Sequence, residues 1–293
     1  MNYNEKEMIN RIILTAEQRE FLLPKAFNAA VRAGAVILDV YAAGKDHFDV
    51  NLKSDMTPIT LADRRSHTLI KEYLAQTMIP LLSEEGREMR YEERKDWEMF
   101  WMVDPLDGTK EFIKGNNEFT VNIALVANNR PVMGIIYVPY FQKIYFCEKG
   151  FGSYLKEGVR PDPNADYTYD KIYEGAVELP LRTEANSPLR LAISRSHNNE
   201  ETFARLAEVK KAHPDAVVVE QGSSYKFCLL AEGSVDYYVR TTHTYEWDTA
   251  AGEVILSETG GTTKSLPGLG KFAYNKESLL NPFFVCRSRF FQE

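Results

Sequence analysis

The stretch Trp101-Met-Val-Asp-Pro-Leu-Asp-Gly-Thr-Lys-Glu-Phe112 decides how the rest of the chain is read. Phe100 to Val103 has the apolar character of a buried strand, Pro105 removes a donor that a continuing strand would use, and Asp107-Gly108 is a turn signal. The strand is therefore expected to end at Asp104. Two carboxylates three residues apart across such a turn can converge on one point, and their oxygens suit a hard cation such as Mg²⁺. Thr109 offers a hydroxyl beside them. A plain strand-to-turn corner, with Asp104 capping backbone amides and Asp107 making the turn, fits the same residues. The stretch alone leaves both readings open.

Outward from it, the 293 residues are 44% hydrophobic and 26% charged, a composition that supports a large core or two fused subdomains rather than disorder. A net charge of -7 and a pI near 5.5 give no general basic field, and no run of Lys and Arg supplies a local one, so nucleic-acid binding is disfavoured. No apolar stretch is expected to span a membrane, and Met1-Asn-Tyr-Asn-Glu-Lys-Glu7 lacks the basic-then-apolar order of a signal peptide, so the expectation is a cytosolic protein. Cys147, Cys228 and Cys286 are odd in number and far apart, which argues for reduced core residues rather than disulfides or a zinc site.

Thr15-Ala-Glu-Gln18 has the form of a capping box, and Phe27, Ala30, Val31, Gly34, Ile37, Leu38 and Tyr41 recur at helical spacing up to Ala43-Gly44. Pro24 places the main helix after it, with the residues before about Thr15 as a loose extension. Thr60 is an N-cap candidate for a second helix, which puts Asp63 in the first helical turn, where an acid is stabilised by the dipole whether or not it does chemistry. Ile79 to Gly86 reads as a short strand ending in Glu84-Glu85. Paired acids there are ordinarily solvated, but Glu84 and Asp104 both follow strand ends and could face one crevice.

Phe119–Val126, Pro131–Val138 and Lys143–Cys147 form an expected antiparallel meander, and Gly150–Tyr154 a bulged strand end. Residues 156–178 turn polar and are read as a surface insertion or mobile flap. Beyond them strands and helices alternate to Arg240, and Trp247–Leu256 reads as a helix with Asp248 in its first turn. The whole is an α/β (α+β) chain, divided into an N-terminal subdomain of residues 1–160 and a C-terminal one of residues 161–293 that completes a cleft. Asp63, Glu84, Asp104, Asp107 and Asp248 all sit at element ends where a cleft could gather them. Such a repulsive cluster calls for divalent cations, which would turn an acidic pocket into a phosphate-binding one. A calcium-stabilised structural site is the other reading of the composition, but no loop has EF-hand spacing.

Leu82-Ser-Glu-Glu85, Asp104-Pro-Leu-Asp-Gly-Thr109 and Trp247-Asp-Thr-Ala-Ala251 occur together, in order and well separated. With them the chain, from about Phe27 to Phe284, resembles the Mg²⁺-dependent, lithium-sensitive phosphatases related to inositol monophosphatase. Lys110-Glu-Phe-Ile-Lys-Gly115 and Gly222-Ser-Ser-Tyr-Lys-Phe-Cys228 resemble the 3'(2'),5'-bisphosphate nucleotidase (CysQ-type) branch. The resemblance implies a layered αβαβα sandwich of the inositol monophosphatase/fructose-1,6-bisphosphatase type. It implies two or three Mg²⁺ held by Glu84, Asp104, Asp107, Asp248 and the Leu106 carbonyl. Thr109 would orient the attacking water, with Asp63 and Glu84 assisting. Glu84, Asp107, Gly108, Thr109, His197, Ser223, Lys226, Arg240 and Asp248 would contact the nucleotide. Without the resemblance, Lys226 and Arg240 read as solvated cations and His197 as a surface or capping residue.

The expected reaction is hydrolysis of the 3'-phosphate of adenosine 3',5'-bisphosphate to AMP and phosphate, clearing a by-product of sulfate assimilation. The alternatives are an inositol or sugar phosphate monoesterase on the same metal centre, and a metal-dependent nucleotide-binding regulatory protein without turnover. The expected partner is a small nucleotide bisphosphate, with no nucleic acid and no transmembrane segment. The protein is expected to be a cytoplasmic monomer or homodimer, and peripheral contact with the inner face of a membrane stays open.

Overall fold

Apolar strands buried on both faces build the centre of the molecule. The computed structural model describes residues 13–54 and 56–292, so residues 1–12 of the expected N-terminal extension lie outside it. In chain order come helix α1 (Ala16–Ala43), a hairpin of β1 (Asn51–Leu52) and β2 (Pro58–Ile59), α2 (Leu61–Leu74), β3 (Leu81–Ser83), α3 (Tyr91–Arg94), β4 (Met99–Asp107) and α4 (Thr109–Lys114). There follow β5 (Thr120–Ala127), β6 (Arg130–Val138), β7 (Lys143–Glu148), β8 (Ser153–Glu157), α5 (Tyr169–Tyr173), β9 (Val177–Glu178) and β10 (Arg190–Ser194). Then come α6 (Glu200–Ala212), β11 (Val217–Gln221), α7 (Tyr225–Glu232), β12 (Tyr237–Arg240), α8 (Ala250–Glu258), β13 (Thr262–Ser265) and β14 (Phe284–Arg287).

One sheet runs β3-β4-β5-β6-β7-β8-β9, parallel only at β3/β4, and the other runs β11-β10-β12-β14-β13, parallel from β11 through β12. Side chains alternate along β4: Trp101 and Val103 enter the core beneath α1 and α2, while Phe100 and Met102 enter the core shared with α7 and α8. That middle core also takes Ala192, Tyr238 and Phe284 from the second sheet, whose outer face buries Leu191, Ile193 and Val239 against Leu206 of α6. The layers are thus helix, sheet, helix, sheet, helix, as expected for an αβαβα sandwich. Cys147, Cys228 and Cys286 are free and buried.

Three local readings change. The β4 strand does not stop at Asp104: it continues to Asp107 through a register shift against β5, where Asp104 pairs with Asn122 and Asp107 with Thr120. One extra residue on β4 makes this a bulge, a place where a proline costs no ladder bond. Pro24 lies inside α1, whose Thr15 capping box is formed. The carbonyl that loses its partner belongs to the exposed Glu20 and can turn to water. Among the described residues, α1 is also one helix long and apolar enough to cross a membrane, yet 67% of its apolar window is buried in the fold.

Residues 156–178 are a packed strap rather than a flap, and β9 within them pairs with β8. Val159, Ala165 and Ile172 are buried. The Asn28 side chain of α1 donates to the Tyr167 carbonyl at 2.9 Å and accepts from its amide at 2.7 Å. Tyr169 and Tyr173 donate to the buried Glu148 at 2.7 and 2.6 Å.

Helix α8 lies unusually close to β6. A Cβ on Gly134 would stand 2.6 Å from both the Ala251 carbonyl oxygen and Val254 Cγ1. Gly134→Ala must push the helix off the sheet, and urea unfolding should show a loss of about 1–3 kcal/mol. A variant as stable as the parent would contradict this contact.

Candidate active site

The ends of β3 and β4, the start of α4 and the turn before α8 converge on a cavity of ≈ 200 Å³. Carboxylate oxygens of Glu84, Asp104 and Asp248 lie within 4.8 Å of one another. Two of the three are placed by backbone amides. Leu106 N donates to Asp104 Oδ1 at 3.1 Å, and Tyr245 N donates to Asp248 Oδ2 at 2.8 Å. The capping role that the sequence offered for Asp104 is therefore real and coexists with the cluster. Asp107, held by the Ser224 amide, lines the cavity but stands outside the close trio.

Burial raises Asp104 well above the usual carboxylate range, and Glu84, Asp107 and Asp248 add to it. Burial raises Asp248 well above that range too, then Asp107 and Glu84. A cluster built wholly of carboxylate oxygen, with Leu106 beside it on the cavity wall, is the donor set of a hard divalent cation. The residues therefore fit Mg²⁺. Lys53, which the sequence reading passed over, sits 2.7 Å from Glu84 and 2.5 Å from Glu85. Burial alone would lower its ammonium, but the two carboxylates hold it above its ordinary value. No pattern in the sequence marks it, because the hairpin brings it there.

Asp63 is buried at 1% exposure and does not reach the cavity wall. Its Oδ2 accepts from the Thr60 amide at 2.7 Å, closing the capping box, and its Oδ1 accepts from the Thr109 hydroxyl at 3.0 Å. Burial pushes its carboxyl up to about 6, against the hydrogen bonds from Thr60 and Thr109. Thr109 does line the cavity and connects it to this acid. Gly108 before it has φ +91°, and a Cβ there would meet the Glu118 carbonyl at 3.0 Å, so the turn into α4 requires glycine.

The opposite wall is cationic. Lys226 is buried and donates to the Gln221 and Ser223 carbonyls at 3.0 and 2.6 Å. Burial, then Arg240, lower its ammonium to about 8 against the pull of Asp107, Glu111 and Glu118. Arg240 donates to Ser194 Oγ and to the Thr242 and His243 carbonyls. His197 and Ser223 line the same cavity. Every residue that the sequence proposed is thus brought to one cavity, except Asp63, which reaches it through Thr109.

An acid whose pKa rises on folding supports the fold while protonated, a contribution present below the unfolded value and lost as pH climbs through the folded one. Asp63 moves from 3.8 to about 6, and burial moves Glu85 from 4.5 to about 7. In excess chelator the thermal midpoint should therefore fall between about pH 4 and about pH 7. Stabilisation by Mg²⁺ should grow over the same window, and Asp63→Asn should flatten the fall of the midpoint. A flat or rising midpoint with a constant Mg²⁺ effect would contradict buried repulsion.

The profile of the Inositol monophosphatase family matches residues 18–282. The 3'(2'),5'-bisphosphate nucleotidase CysQ of Salmonella typhimurium is 37% identical over 265 residues, covering 90% of this chain and 98% of the relative. That of Haemophilus influenzae is 36% identical, covering 85% and 90%. The crystal structure of CysQ from Bacteroides thetaiotaomicron, a bacterial member of the inositol monophosphatase family, superimposes with a TM-score of 0.82 at 43% identity, covering 90% of this chain and 96% of that one. The chain belongs to the inositol monophosphatase family.

Proposed function

We propose that this protein is a Mg²⁺-dependent phosphatase that cleaves the 3'-phosphate of adenosine 3',5'-bisphosphate, giving AMP and phosphate and so recycling that nucleotide in sulfur metabolism. The observation that carries the reading is one cavity with an acidic trio at one end, cations resting on neutral acceptors at the other, and the Thr109 hydroxyl on its wall. A monoester with a second phosphate has the matching charge pattern. The relatives from Salmonella typhimurium and Haemophilus influenzae, both 3'(2'),5'-bisphosphate nucleotidases, point the same way.

In this reading Glu84, Asp104, Asp107, Asp248 and the Leu106 carbonyl would hold two or three Mg²⁺. Bound there, the metal supplies Lewis-acid stabilisation of the phosphoryl oxygens. Because Thr109 donates its proton to Asp63, its oxygen keeps lone pairs for the cavity and can accept a hydrogen bond from the attacking water, fixing where that water points. Asp63, raised to about 6, is a base suited to neutral pH, and Glu84 assists from the cavity wall. Water adds to phosphorus, the bond to O3' breaks, and the departing 3'-oxygen takes a proton. Gly108, with Glu84, Asp107, Thr109 and Asp248, frames the scissile end. Lys226, Arg240, Ser223 and His197 take the nucleotide and its 5'-phosphate.

Phosphate release across adenosine 3',5'-bisphosphate, adenosine 3'-phosphate and inositol and sugar monophosphates tests the reading. The bisphosphate should give the highest kcat/KM, and chelation should abolish turnover. Thr109→Ala should lower kcat by roughly 10²–10⁴-fold with little change in KM. A preference for inositol phosphate, or full activity in excess chelator, would replace the proposal.

In a second measurement, Lys226→Ala and Arg240→Ala should each shrink the ratio of kcat/KM for the bisphosphate over the 3'-monophosphate. Each removes charge-assisted contacts worth about 1.5–3 kcal/mol. An unchanged ratio would take these residues out of the subsite.

A further inference from the structure

We infer that Lys110 is a further ligand of the phosphate that is not cleaved, and that His197 is the positioning residue that aims it. The inference rests on the bisphosphate reading above. Lys110 follows Thr109 on α4 and lines the cavity. Its Nζ lies 2.8 Å from His197 Nε2. An ammonium can only donate, so the imidazole nitrogen accepts, and the ring is neutral with its proton on Nδ1. The surroundings keep it so: burial first, and then Arg240, Lys110, Lys226 and Lys114, lower His197 to about 4.

What marks Lys110 is the kind of partner it has. Of the nearby cations, Arg195 grips Glu118 at 2.7 Å, while Lys114, which does not line the cavity, donates to the Ser196 hydroxyl, itself a donor to Glu111. Among the described residues no ion pair joins Lys110 to a carboxylate, and its hydrogen-bond partner is a neutral ring. Lys226 and Arg240, in the same cavity, likewise donate only to carbonyls and a hydroxyl. Of the four cations that line the cavity, Arg195 is paired with Glu118, and the other three are each oriented by hydrogen-bond partners that bring no negative charge. That arrangement leaves their mutual repulsion to be relieved by an arriving anion.

The three also come from different walls. Lys110 stands on the helix that follows the acid-bearing strand β4, whereas Lys226 and Arg240 come from α7 and β12. With one ammonium proton directed to His197, two remain for phosphate oxygens. A dianionic group would then be held from both sides, and a monophosphate cleaved at the acidic end would leave Lys110 idle. Lys110 therefore acts on specificity, and His197 acts through it.

The test compares wild type with Lys110→Met, His197→Ala, His197→Gln and the Lys110→Met/His197→Ala double variant. kcat/KM is measured for adenosine 3',5'-bisphosphate and adenosine 3'-phosphate in saturating Mg²⁺. Lys110→Met should lower the bisphosphate-to-monophosphate ratio about ten-fold or more. His197→Ala should lower it in the same sense, but by a smaller factor once Lys110 is already gone, the signature of coupled residues. His197→Gln, whose amide oxygen can still accept from Lys110, should recover part of the loss. Equal losses on both substrates would assign Lys110 to the scissile phosphate, and full additivity would uncouple the pair; either result overturns the inference.

Calorimetric binding of adenosine 5'-phosphate to the Mg²⁺-loaded protein separates this claim from the functional one. Lys110→Met should weaken it by a similar factor. Wild type that binds adenosine 5'-phosphate but does not hydrolyse the bisphosphate would overturn the proposed reaction alone. Equal affinities of wild type and Lys110→Met, or no binding by either, would overturn the role of Lys110.

Discussion

Repulsion among buried carboxylates is the constraint around which this molecule is built. Glu84, Asp104 and Asp248 bring oxygens within 4.8 Å of one another, with Asp104 buried and the other two partly so, where water screens them poorly. In a low-dielectric interior, such charges cannot all persist unless a cation joins them. The fold nonetheless forces them together. The β4 bulge turns Asp104 and Asp107 toward the cavity, the β3/β4 pairing brings Glu84 alongside, and the close seating of α8 on Gly134 delivers Asp248. Lys53 offsets part of the charge from the hairpin above.

The same cavity carries the opposite problem in Lys110, Lys226 and Arg240, which are oriented by carbonyls, a hydroxyl and a neutral imidazole. Acid and base do not pair off across it. Apart from the Lys53–Glu84 pair, each set is steadied by neutral or backbone groups and so remains available to a ligand of the other sign. A polyphosphorylated ester, with one phosphate for the metal end and one for the cationic end, satisfies both at once. The Asp63–Thr109 hydrogen bond sets a proton acceptor behind the wall, where burial raises it toward neutral pH.

Much of this was legible in the sequence because it is local. The capping boxes at Thr15 and Thr60 and the apolar runs of β4 to β7 are written in neighbouring residues, and the acids stand at element ends where the strands and helices must deposit them. What was misread depends on distant partners. Pro105 looks like a strand stop until β5 accommodates it with a bulge, and Pro24 looks like a helix stop until its orphaned carbonyl proves to face solvent. The polar strap of residues 156–178 hides its role because Glu148 and Asn28, which hold it, come from other elements. Lys53 and the Lys110–His197 contact share that difficulty, since a lone lysine carries no pattern until topology gives it a neighbour.

The most direct test of the account is to see where ligands settle. A crystal of the protein grown with Mn²⁺, an anomalous substitute for Mg²⁺, and adenosine 5'-phosphate should show anomalous density between Glu84, Asp104 and Asp248. The nucleotide phosphate should lie among Lys110, Lys226 and Arg240. Metal absent from the acidic trio, or a phosphate that ignores the cationic wall, would contradict the division of charge on which the account stands.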